Sequence, residues 1–132
     1  FFFKQKTAYE ISTRDWSSDV CSSDLGIVTK SDLSFIKAGA LIVSECGGAS
    51  TSDSKGSKVE GTCLSTDADG DKYKINFSRS NTIGGSNPGT QTWVGLTGKY
   101  VGMTATCTYE NKSQVISAVV YGSNLNKCTV TK

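Results

Sequence analysis

Three aspartates alternate with small residues in Asp67-Ala68-Asp69-Gly70-Asp71, a density of oxygen ligands that could hold a hard divalent cation. The spacing is not that of an EF-hand. Counted from Asp67, the sixth and twelfth positions are Lys72 and Ser78, where such a loop needs Gly and Glu, and the glycine comes fourth. The run reads first as an Asp/Gly hairpin turn, with Asp67, Asp69 and Asp71 as a weak Ca²⁺ candidate. A second set of residues could line a ligand cavity: Tyr73, Ile75, Phe77, Trp93, Met103 and Tyr109. Large apolar side chains of this kind more often pack a core than hold a ligand.

Other chemistries are excluded by what the chain lacks. It has no histidine, which removes imidazole bases and His-ligated metals. Gly95-Leu96-Thr97-Gly98 is glycine-rich, but no Gly-Lys-Ser/Thr follows and no helix begins there, so it is not a phosphate loop. No cofactor is expected. Cys46, Cys63, Cys107 and Cys128 lack the close spacing of a zinc site and read as two disulfides made in an oxidising compartment. Four cysteines allow three pairings. Short loop closure favours Cys46 with Cys63 and Cys107 with Cys128, without excluding the others.

At 132 residues the chain has room for one domain. With 14 Gly, one Pro, 20% charged residues and mean hydropathy −0.25, it is turn-rich. No apolar run approaches the ~18–20 residues of a membrane helix. A net charge of +2 with scattered lysines gives no nucleic-acid footprint. The partner stays open, with a small apolar ligand as one candidate.

The elements that must position these residues are strands, because apolar positions recur with period two and nowhere convincingly with period 3.6. Residues 26–36 show no clear pattern, 38–45 predict a buried strand, and 47–58 predict a flexible loop. Residues 59–66 and 71–78 flank the DADGD turn. Parity there predicts a three-residue loop, Ala68-Asp69-Gly70, with Gly70 left-handed, Asp67 opposite Asp71, and Cys63 facing Ile75. Residues 80–90 predict a loop and 91–96 a strand. A tight turn at Thr97-Gly98 then leads into a strand over 99–109. Residues 114–121 predict a central strand and 126–131 a final one. The expected fold is all-β: an antiparallel meander forming a small barrel of about seven to eight strands, complete or incomplete.

The N-terminal stretch has a different character. Residues 4–25 (KQKTAYEISTRDWSSDVCSSDL) closely resemble the translation of a short-read sequencing adapter. Residues 15–25 match one part of the oligonucleotide, residues 4–10 its upstream half, and 11–14 span the variable index. The resemblance implies that 1–25 is not a domain and that 26–132 is a single barrel-like domain with a truncated N-terminus. A signal peptide and a first strand would then be missing, leaving an open sheet edge.

Two motifs carry a family resemblance. TDADGDKY (66–73) and WVGLTGKYVGMTATCTY (93–109) look like those of small bacterial secreted proteins with a TDADGDK turn and a GGTGKYAGxxGxGTY-like stretch. The second is also similar to a hairpin of allene oxide cyclase-like and dirigent-like barrels, of the calycin-like class. Gly95-Leu96-Thr97-Gly98 departs from the GGTG run, and Thr104-Ala105-Thr106-Cys107 from the G-x-G. The resemblance implies an eight-stranded barrel, secreted or periplasmic, and reports fold better than chemistry. The all-β alternation, the inward aromatics and the lack of a nucleophile–base constellation point to a non-catalytic binding or structural module. The alternative is a cavity-type enzyme resembling allene oxide cyclase, with Glu60, Tyr73 or Tyr109 as polar cavity groups.

Overall fold

Alternating side chains need a sheet with one dry face and one wet face, and a meander satisfies this by curling until its ends meet. The computed structural model describes residues 2–7, 20–82, 87–116 and 119–132, with side chains over 25–81, 87–112 and 123–132. Eight antiparallel strands follow in chain order: β1 (Phe2–Thr7), β2 (Val20–Lys30), β3 (Leu41–Asp53), β4 (Gly56–Asp67), β5 (Lys72–Thr82), β6 (Gly89–Gly95), β7 (Thr104–Ile116) and β8 (Val119–Thr131). Each pairs with its neighbour, and β1 also pairs with β8, so the barrel is closed. The all-β meander is thus the observed fold. The edge expected to lie open is covered by β1, which comes from the adapter-like segment; residues 8–19 of that segment lie outside the described residues.

The register predicted at the DADGD turn is the one observed. Cys63 pairs with Ile75 and Thr66 with Lys72, while the Asp67 N–H donates to the Asp71 carbonyl at 3.0 Å. Gly70 sits at φ 84°, the left-handed conformation that closes a three-residue loop.

Three expectations need correction. Residues 47–58 are not a flexible loop: they end β3, make a two-residue hairpin at Ser54-Lys55 and begin β4. Asp53 Oδ1 accepts the Lys55 and Gly56 N–H groups at 2.7 and 3.1 Å and holds that turn. The Ser/Thr/Gly composition that suggested a loop reflects a wet outer face and a tight inner one. Second, residues 99–103 are not strand. Gly98–Tyr100 forms one 3₁₀ turn, and β7 starts at Thr104. Third, 114–121 is not one central strand. It spans the end of β7 and the start of β8, paired through Ile116 and Val119; residues 117–118 and the side chains of 113–122 lie outside the described residues. The expected loop at 80–90 is shorter than predicted, with β5 running to Thr82 and β6 starting at Gly89; residues 83–86 lie outside the described residues.

The core lies inside the barrel toward one end. There Val28, Ile42, Tyr73, Trp93, Ala105 and Cys107 are buried from the wall, and Ile36, Tyr100 and Met103 from the connections. Disulfides join Cys46 to Cys63 and Cys107 to Cys128, each directly across a strand pair with Cα atoms 4.0 Å apart. In an eight-strand ring these pairs, β3–β4 and β7–β8, sit on opposite walls. Among the described residues no helix is long and apolar enough to cross a membrane.

Candidate functional site

The three aspartates of the turn gather around a lysine. Asp67, the last residue of β4, points inward and is 8% exposed. Its Oδ1 accepts the N–H groups of Asp69 and Asp71 at 2.9 and 3.0 Å. Its Oδ2 accepts the Tyr100 hydroxyl at 2.9 Å and the Lys99 ammonium at 2.7 Å. The same ammonium lies 2.7 Å from Asp69 Oδ2, while Asp71 Oδ2 accepts the Lys99 N–H at 3.0 Å. A carboxylate offers about four lone-pair positions, and Asp67 has four donors. All four are therefore occupied in the folded chain, which leaves no free position for a metal ion and disfavours protonation at neutral pH.

Burial alone would raise the Asp67 pKa. Hydrogen bonds from Lys99, Tyr100 and the two turn N–H groups outweigh it and hold the carboxyl below its ordinary value. The same contacts to Asp67 and Asp69 push the Lys99 ammonium up. Burial, reinforced by the bond to Asp67, pushes the Tyr100 phenol up. Both are locked in their ordinary protonation states. The geometry does not favour the Ca²⁺ reading of Asp67, Asp69 and Asp71, because Asp67 and Asp69 already hold the Lys99 ammonium and Asp71 accepts the Lys99 backbone N–H. Among the described residues no group of three or more His, Cys, Asp or Glu is placed to hold a metal.

The turn is also a clasp. The Leu96 and Thr97 N–H groups donate to the Lys72 carbonyl at 2.9 and 3.1 Å, and Thr97 Oγ1 accepts the Lys72 N–H at 2.8 Å. These bonds tie the β6–β7 connection to the β4–β5 turn and swing Tyr100 beneath the barrel. Gly95 makes room: a Cβ there would lie 1.6 Å from the Tyr100 carbonyl oxygen. Phe35, from the β2–β3 connection, meets the Tyr100 ring edge-on at 6.1 Å.

Of the six candidate cavity residues, Tyr73, Ile75, Trp93, Met103 and Tyr109 are buried and Phe77 is half-buried. Tyr73 stacks obliquely on Trp93 at 5.4 Å and on Tyr100 at 4.8 Å, and Trp93 Nε1 donates to Gln91 Oε1 at 2.9 Å. Burial pushes the phenols of Tyr73 and Tyr109 up, which keeps both neutral. Glu60 does not enter the barrel. It is exposed on the outer wall, 2.8 Å from Lys58, and that contact lowers its pKa.

Sequence reasoning missed Lys99, Phe35 and Ile36 as partners of this site, and it read Tyr100 as a strand aromatic without connecting it to Asp67. The signal available was Gly95 followed by Gly98 and Gly102, which is more glycine than a straight strand tolerates. The outer wall carries an open depression of ≈ 510 Å³ beside Thr62, Asn76, Ser78 and Thr92. A smaller one of ≈ 270 Å³ lies at the β3–β4 hairpin.

Compared with protein-family models, with curated proteins and with solved structures, the chain gives no match.

Proposed function

We propose that the chain is an exported, non-catalytic binding or structural module that works through its outer surface. The observation that carries this is the contact among Tyr73, Trp93 and Tyr100, which spends the large inward side chains on one another. The full set of donors on Asp67 supports the same reading, since the buried carboxylate is a fastener and not a base. Export is supported by the two disulfides, which persist in oxidising compartments, and by the resemblance of residues 66–73 and 93–109 to small secreted barrels.

The test is a titration of the oxidised protein with a fluorescent fatty acid, alongside the melting temperature with and without a thiol reductant. No saturable binding, with a large loss of stability on reduction, is the expected result. Saturable binding that Trp93→Ala alters would overturn the reading in favour of an interior ligand site. Residues 4–25 are read as adapter-derived, and adapter-trimmed sequencing of the gene's 5′ end checks this. A different coding sequence before Gly26 supports the reading, and identical genomic codons overturn it.

A further inference from the structure

The inward faces of β4, β5, β7 and β8 change character beyond the two disulfides, at the end away from the Asp67 clasp. Val59 pairs with Arg79 and Ser57 with Asn81 on one wall. On the other, Tyr109 pairs with Asn126 and Asn111 with Asn124. Arg79 carries the one formal charge among these eight residues, and the set holds no carboxylate. All eight lie beyond residue 25.

The aromatic rings at this level lie along the wall and not across the lumen. Gly61 is opposite Phe77, and Gly89 is opposite Tyr109. A Cβ on Gly61 would fall on the tip of the Phe77 ring, and one on Gly89 on the Tyr109 ring and hydroxyl. Each ring is thus folded back over a glycine of the next strand. Phe77 is half-buried, so its ring still meets solvent.

Arg79 is held beside this surface. Its Nε–H donates to the Asn87 carbonyl at 3.1 Å, and its charge offsets part of the rise that burial causes in the Tyr109 phenol pKa. Two amides are incomplete. Oδ1 of Asn81 and Oδ1 of Asn124 are buried without a hydrogen-bond partner. A buried acceptor left in this state costs stability, which a ligand's hydroxyl would recover.

We propose that this end of the barrel binds a small carboxylated sugar. The carboxylate would pair with the Arg79 guanidinium, the hydroxyls with the amides of Asn81 and Asn124, and the C–H face with the Phe77 ring. One cation among amides suits one carboxylate among hydroxyls. A fatty acid would strip water from the amides and return no hydrogen bond. The inference goes beyond the outer-surface reading and does not depend on it.

The probe is glucuronate, titrated calorimetrically into the oxidised full chain beside glucose and acetate. Glucuronate should bind saturably, about tenfold or more tighter than either of the others. In NMR spectra it should shift the side-chain amide resonances of Asn81 and Asn124. Arg79→Gln should weaken glucuronate binding about tenfold and bring it level with glucose. Lys74→Gln removes an exposed charge from the outer wall and should change neither.

The proposal is overturned if glucuronate does not bind, or if acetate binds as tightly, which would make Arg79 a general anion contact. It is equally overturned if Lys74→Gln weakens glucuronate as much as Arg79→Gln does. Binding heat without shifts at Asn81 and Asn124 would place the sugar outside the barrel and overturn it too. Those shifts are read on the parent chain, so they decide the matter even if Arg79→Gln does not fold. The fatty acid probes the Trp93 core and glucuronate the Arg79 end, so the two readings fail separately.

Discussion

The two ends of the barrel are built from the same strands yet are held by different physics. At the end where β4 turns into β5, the inward positions are Cys63, Ser65, Asp67, Tyr73 and Ile75, all buried. At the opposite end the same strands face inward with Ser57, Val59, Gly61, Arg79 and Asn81, all only half-buried. Aromatic bulk and a clasp around Asp67 fill the first end. Among the described residues, the second end carries smaller or more polar inward positions that stay half-buried. Burial follows side-chain volume, and the closed ladder alone does not create a core.

The largest expected effect comes from the filled end. Trp93→Ala should cost about 3–5 kcal/mol, read as a fall in unfolding free energy by denaturant titration. Phe77→Ala, partway toward the other end, should cost clearly less; equal losses would break the comparison. Removing a disulfide comes next. Cys107→Ala/Cys128→Ala should cost about 2–5 kcal/mol, because each bond closes a loop in the unfolded chain as well as pinning a strand pair.

Gly95→Ala forces a Cβ into the Tyr100 carbonyl and should cost about 1–3 kcal/mol, seen as a lower melting temperature. Tyr100→Phe keeps the ring but removes one donor from Asp67, for a loss of about 1 kcal/mol. This variant has a pH signature. The folded pKa of Asp67 is held below its unfolded value, so ionised Asp67 favours folding above about pH 4. That contribution is lost as pH falls through the lowered value. With one donor fewer the folded pKa of Asp67 lies closer to the unfolded one, so the acid loss of stability in Tyr100→Phe should be smaller and should be complete at a higher pH than in the parent. The smallest effect is at Gly47, where an added Cβ meets nothing within 4 Å among the described residues. Gly47→Ala should change stability by less than about 0.5 kcal/mol, which sets the baseline against Gly95.

Legibility in the sequence followed the range of the forces involved. The three-residue loop at Gly70 and the Cys63–Ile75 register could be read because turn chemistry and period-two alternation act over a few residues. Residues 47–58 were misread because composition tracks solvent exposure, and the outer face of an antiparallel sheet is as wet as a loop. The strand expected from residue 99 failed for a different reason. Tyr100 reaches Asp67 across 33 positions of sequence, and no local pattern reports that bond.

By itself the sequence determined the strand alternation, the all-β class, the DADGD hairpin and the even set of four cysteines beyond residue 25. Each of these is set by neighbours in the chain: side-chain parity, backbone freedom at glycine, or a thiol count. Tertiary structure alone decided that the ring closes, that Lys99 is the cation Asp67 and Asp69 hold, and that Tyr100 plugs one end. Those outcomes depend on which distant residues meet when a twisted sheet curls on itself, and that meeting is fixed only once the whole barrel has formed.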